Sequence, residues 1–169
     1  MKIVLQTDRL NLREYTIEDA PFLLRLVNDP AWLLHIGDRK VYTVEDAERY
    51  LQDGSMKSYQ DHGFGFWKVE NKENGEVMGS AGLAKRDYLE DVDLGFAFLP
   101  EYRTQGYALE AATSIIDFAK KSLGLKNLVA ITSQDNIPSI NLLAKLGFRF
   151  ENKFLLDGEE LNLYNLKLL

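Results

Sequence analysis

Arg103-Thr104-Gln105-Gly106-Tyr107-Ala108 follows an apolar run, Val92 to Leu99, and opens the strongest helical pattern in the chain. A strand, a short glycine loop and a helix in that order aim several backbone N–H groups at one spot. The first N–H groups of a helix have no partner within it, and the helix dipole favours negative charge there. Such a spot attracts phosphate. The loop has neither the Gly-Lys-Ser/Thr ending of a nucleoside-triphosphate P-loop nor the three-glycine spacing of a dinucleotide-binding turn. The expected ligand is therefore phosphorylated, and it is neither ATP nor NAD.

Working outward, the helix beginning near Tyr107 runs to about Leu123. Leu109, Ala112, Ile116, Ala119 and Leu123 form a stripe that Ala108, Ala111, Ile115 and Phe118 widen, as expected of a helix lying on a sheet. Gly124 is a natural stop. Leu128 to Thr132 reads as a strand rich in β-branched residues, and a further helix starts near Ile137 or Pro138 and ends at Gly147. Phe148 to Phe154 and Glu160 to Leu168 read as a hairpin around Asp157-Gly158. Upstream, Leu10 and Leu12 mark a first strand, and Thr16/Asp19 and Thr43/Asp46 are capping signals for two helices. The second of these continues toward Tyr59. Phe64 to Val69 and Val77 to Leu83 are strands joined by a turn at Asn71 to Gly75. No linker or low-complexity segment interrupts the chain. One mixed α/β domain over 1–169 is expected.

Composition narrows the function. The 169 residues suffice for one substantial core. There is no cysteine, which excludes disulfides, thiolate metal sites and a cysteine nucleophile. His35 and His62 are the only histidines, too few for a histidine-rich metal site, and no metal is expected. A net charge of −6 argues against non-specific nucleic-acid binding. No apolar run reaches membrane-spanning length, and the apolar part of Met1 to Arg9 is too short for a secretory signal. A cytoplasmic location is the expectation.

Two motifs carry a family resemblance. Arg103, Gly106 and Ala108 match an acetyl-CoA signature of Arg or Gln, two residues, Gly, one residue, then Gly or Ala. Asn136, Ser139 and Gly147-Phe148 match a second signature downstream. Thr7-Asp8-Arg9-Leu10, Asn28-Asp29-Pro30 and Asp93-Leu94-Gly95-Phe96 extend the likeness along nearly the whole chain. The sequence resembles the GNAT acetyltransferase superfamily, in its RimJ/RimL-like ribosomal-protein N-acetyltransferase branch.

The resemblance implies a twisted, mostly antiparallel sheet of about seven strands with about four helices. Its central strand is splayed by a bulge, eased by Gly95, that opens a cleft. It implies acetyl-CoA as co-substrate. Backbone groups around Phe96, Ala97 and Phe98 would pair with the pantetheine arm. Arg103 and the amides of Thr104, Gln105, Gly106, Tyr107, Ala108 and Leu109 would hold the pyrophosphate. Asn136 would bind the pantetheine arm or cap its helix, and Ser139 would reach the departing sulfur. The family's usual proton-donating tyrosine falls at Leu143, leaving Ser139, a water or another tyrosine. Asp93 is the candidate base, directly or through water, and Glu110 is read as structural first with a water-chain role open. His35, beside Trp32, lies in the segment that shapes the acceptor pocket, and as a lone loop histidine it stays outside the catalytic set. The acceptor is a primary amine, either a protein N-terminus or a small amine such as a polyamine or aminoglycoside. A homo-oligomer is open, and so is a non-catalytic CoA-binding sensor, kept alive by Leu143.

Overall fold

The computed structural model describes residues 2–169. Eight strands form one sheet: β1 (Ile3–Gln6), β2 (Leu10–Arg13), β3 (Phe66–Asn71), β4 (Val77–Ala84), β5 (Asp93–Phe98), β6 (Asn127–Ser133), β7 (Arg149–Leu156) and β8 (Glu159–Lys167). Their order is β1-β2-β3-β4-β5-β6-β8-β7, and the β5–β6 pair is parallel while its neighbours are antiparallel. The helices are α1 (Ala20–Val27), α2 (Pro30–His35), α3 (Val44–Leu51), α4 (Lys57–His62), α5 (Tyr107–Lys121) and α6 (Ile137–Leu146). Eight strands and six α-helices exceed the expected seven and four. The additions, β1, α2 and α4, are four to six residues long, too short to show a periodicity of their own.

Local chemistry explains the boundaries. Thr43 and Asp46 cap α3 reciprocally: the Asp46 amide donates to Thr43 Oγ1 at 3.0 Å, and the Thr43 amide to Asp46 Oδ2 at 3.2 Å. Asp29 caps α2 by accepting from the Ala31 amide at 3.1 Å, with Pro30 in the first turn. Between α3 and α4 the chain widens into a π-helical turn, Gln52–Met56, so the expected continuous helix toward Tyr59 is interrupted there. At the β7–β8 turn Asp157 and Gly158 both have positive φ, 50° and 82°, the conformation of a tight type I′ hairpin.

Helices cover both faces of the sheet. On one, α5 lies across β1, β2, β4 and β5 and buries Ala111, Ala112, Ile115 and Ala119 completely against Trp67, Met78 and Leu83. The buried stripe is turned one residue from the expected one: Leu109 sits at its edge, 37% exposed. On the other face Tyr15, Leu23, Val27, Ala47 and Leu51 form a second core beneath α1 and α3. The small residues at the centre of α5 let its backbone approach the sheet closely, which fixes where its N-terminus ends up.

Candidate active site

Thr104 and Gly106 hold positive φ, 61° and 83°, and this alternation turns the loop after β5 back over the start of α5. The backbone N–H groups from Thr104 to Leu109 have no hydrogen-bond acceptor among the described residues; the first helical bond is Glu110 N–H to Gly106 O, 3.0 Å. Free amides in sequence at the positive end of a 15-residue helix are the chemistry that can cradle an anion. Two arginines build it. Arg103 donates through Nε to Phe98 O at 3.0 Å and through Nη2 to Asp29 Oδ2 at 2.6 Å. These bonds brace the loop against the α2 cap. Arg9 donates through Nη1 to Gln105 O at 3.1 Å, lies 4.4 Å over the Tyr107 ring and pairs through Nε with Glu110 at 2.7 Å. A Cβ on Gly106 would come within 3.3 Å of Arg9 Nη2. The Glu110 carboxylate also takes the Thr7 hydroxyl and the Arg9 amide. These bonds fit the structural role expected of it first.

The neighbouring feature is a gap in the sheet. β5 and β6 share one register pair, Asp93 with Val129, before they part, whereas β5 keeps unbroken register with β4 from 93 to 98. The splay therefore lies wholly on the β6 side, with no register shift at Gly95. Gly95 has another use: a Cβ there would meet the Phe66 ring at 2.7 Å. Leu99 N–H donates to Met78 O at 3.0 Å. By the alternation of an antiparallel ladder the backbone groups of 93, 95 and 97 turn to β4, and those of 94, 96 and 98 face β6. Phe96, beyond the last pairing, thus directs its N–H and C=O into the gap. Ala97 does not; its backbone is spent on β4, which corrects the expectation for that residue. The Phe98 carbonyl is already taken by Arg103.

A cleft of about 790 Å³ opens at this gap, and Asp93, Phe96, Ala97, Asn136 and Ser139 all line it. The loop 103–109 stands outside this cleft on the surface, with Thr104, Gln105 and Gly106 exposed. Asn136 Oδ1 accepts from the Ser139 amide at 3.3 Å, so its oxygen caps α6, and its NH₂ has no partner among the described residues and is free for a ligand. Ser139, in the first turn of α6, is part-buried on the cleft wall. Leu143 is 1% exposed, held by the core below.

On the opposite wall Asp93, 2% exposed, pairs through Oδ2 with Arg86 Nε at 2.7 Å, while Oδ1 is buried without a partner. Burial outweighs the pull of Arg86 and pushes the Asp93 carboxyl up to about 6. Tyr15 lines the same wall, and burial raises its phenol well above the ordinary range, which makes it a poor proton donor. His35 is not in a loop: it ends α2, and its Nδ1 lies 2.9 Å from Ser133 Oγ and 3.7 Å from Asp135 Oδ1. Arg9, Arg86 and His35 were not among the expected site residues. The first lies inside the Thr7 to Leu10 stretch, His35 lies in the segment expected to shape the acceptor pocket, and Arg86 carries no local signal. Among the described residues no group of three or more metal-ligating side chains could hold an ion, and no helix is long and apolar enough to cross a membrane.

A parted parallel pair at the centre of a mostly antiparallel sheet, with an anion cradle where the next helix begins, is the architecture of an acyl-CoA-dependent transferase. The family model "Acetyltransferase (GNAT) domain" matches residues 9–149, and the chain belongs to this family. It is an N-acetyltransferase with acetyl-CoA as co-substrate. It is 27% identical over 149 residues to the uncharacterized N-acetyltransferase YoaA of Bacillus subtilis, covering 88% of this chain and 84% of the relative. It is 30% identical over 148 residues to the uncharacterized N-acetyltransferase p20 of Bacillus licheniformis, covering 87% and 83%. Among solved structures it shares the fold of RimL, a ribosomal L7/L12 alpha-N-protein acetyltransferase in complex with coenzyme A (TM-score 0.83, 18% identity, 98% of each chain).

Proposed function

We propose that this N-acetyltransferase acetylates a primary amine by direct attack in a ternary complex, with the cradle at 104–109 gripping the diphosphate of acetyl-CoA. The observation that carries this is the run of unpartnered amides from Thr104 to Leu109 beside the open backbone of Phe96. The cradle binds the anion and the gap accepts an extended, amide-bearing arm as a strand substitute. Gly106, at positive φ, keeps the loop surface free of a side chain. The thioester then lies in the cleft between Phe96 and Ser139. Phe96 N–H is the donor available to the developing oxyanion. Ser139 is the hydroxyl available to the departing thiolate, since Leu143 has none and Tyr15 holds its proton. Asp93 supports proton loss from the amine through the cleft, because a carboxyl near pH 6 exchanges protons readily at neutrality. Most of the rate gain comes from holding amine and thioester together.

Trp32, Tyr15, Tyr50, Asp53 and Gly54 line the cleft away from α6. A cleft of about 790 Å³ has room for an acceptor with an extended body beyond its amine, such as a protein N-terminus, and the fold shared with RimL agrees with it. Incubating acetyl-CoA with N-terminal peptides, polyamines and aminoglycosides, and following free thiol, tests the reading. Amine-stimulated thiol release supports it. Tight acetyl-CoA binding with no such release across the panel refutes it.

A further inference from the structure

His35 joins α2 to the far end of β6, 98 residues away, and both partners of its Nδ1 stand on the splayed side of the sheet. Ser133, the last residue of β6, is 5% exposed and holds the ring in one orientation. Asp135 faces the same nitrogen. A carboxylate and a hydroxyl on one side of an imidazole favour the tautomer with its proton on Nδ1. Nε2, which has no partner among the described residues, is left with its lone pair. His35 lines the cleft together with Ser133, Asn136 and Ser139, and with Nδ1 committed to Ser133 and Asp135, Nε2 is the ring nitrogen left for a ligand there. Asp93, 2% exposed with its Oδ2 held by Arg86, can receive a proton only through water, so direct contact with the amine falls to His35.

Resting on the acetyl-transfer reading above, we infer that His35 is a catalytic residue that meets the acceptor and takes its proton at Nε2, with Ser133 as positioning residue. The ammonium N–H bond breaks and its proton forms the imidazolium, which Asp135 stabilises. The freed nitrogen lone pair forms the N–C bond as the carbonyl pair moves to oxygen. Collapse re-forms the carbonyl and breaks the C–S bond. The second nitrogen proton, lost as the amide forms, goes to the CoA sulfur, through Ser139 where it relays, and the imidazolium proton goes to solvent.

The test uses the intact chain with acetyl-CoA and whichever of an N-terminal tetrapeptide, spermidine and kanamycin gives the fastest thiol release. Coenzyme A affinity, kcat and KM are measured from pH 6 to 9.5 for wild type, His35→Gln, His35→Asn and Ser133→Ala. Charged groups bordering the same cleft include Asp135 facing Nδ1, the Asp93–Arg86 pair across from His35, Arg39, Lys85, Asp157 and Glu159, with Asp53, Lys57, Asp61 and His62 on the α3–α4 side. Both His35 variants should keep wild-type coenzyme A affinity and lose roughly 10²-fold in kcat/KM at pH 7. The deficit should shrink steadily toward pH 9.5, where more of the amine is already neutral, and Ser133→Ala should lose less with the same pH signature. A His35→Gln rate within about 3-fold of wild type, or a deficit constant with pH, overturns the inference while leaving acetyl transfer standing. Absence of thiol release from wild type with every amine overturns both.

Discussion

Replacing Asp93 by Asn removes the most deeply buried carboxyl among the described residues, and the consequence is a change in how stability depends on pH. The group moves from 3.8 in an exposed setting to about 6 in the folded protein, because desolvation of the charge exceeds what Arg86 returns. The folded state therefore holds this proton more tightly than the unfolded state. Its stabilising contribution is complete below about pH 4 and is lost as pH rises through 6. A difference of about 2 pH units corresponds to about 3 kcal/mol in full, of which about 2 kcal/mol falls between pH 4.5 and 7.5. Urea denaturation of wild type and Asp93→Asn at matched pH values gives the difference in unfolding free energy, in which other titrating groups largely cancel. Wild type should lose about 2 kcal/mol relative to the variant from pH 4.5 to 7.5. A difference flat to within about 0.5 kcal/mol would mean that the carboxyl is well solvated. The burial argument, and Asp93's part in proton transfer with it, would then be wrong.

Two further outcomes follow from the same geometry. Ser139→Ala should lower kcat by roughly 10²-fold with coenzyme A affinity, read by calorimetry, almost unchanged; an unaltered kcat would remove its hydroxyl from thiolate protonation. Arg103→Ala breaks the link from the loop to the α2 cap at Asp29, so it should cost about 1–2 kcal/mol in stability, raise the acceptor KM and weaken coenzyme A binding together, and a change in only one of these constants would separate the loop from α2.

What could be read from sequence was whatever is local. The loop at 103–108, the Asn136-to-Gly147 helix and the Asp157-Gly158 turn depend on neighbours a few residues away and are where their spacing placed them, while the apolar face of α5 is turned by one residue. The splay between β5 and β6 was expected, with a bulge eased by Gly95 as its cause; β5 instead keeps unbroken register with β4, and that pairing leaves Phe96, not Ala97, open to the gap. Asn136 satisfied two chemistries on paper, and the nearest donor, the Ser139 amide, takes its oxygen. His35 reads as a loop residue in the sequence because α2 spans only six residues and owes its start to a single cap. Its partner Ser133 and the Arg9–Glu110 pair lie 98 and 101 residues distant in the chain, and no periodicity reports contacts of that range.

The cradle is examined most directly by titrating ¹⁵N-labelled protein with coenzyme A and following individual backbone amides, with Gly106→Val as the control. Shifts concentrated at Thr104 through Leu109 and at Phe96, with at least 10-fold weaker binding by the folded variant (about 1.4 kcal/mol), are the predicted result. Saturable binding that leaves those amides unmoved, or equal affinity in Gly106→Val, would contradict the account.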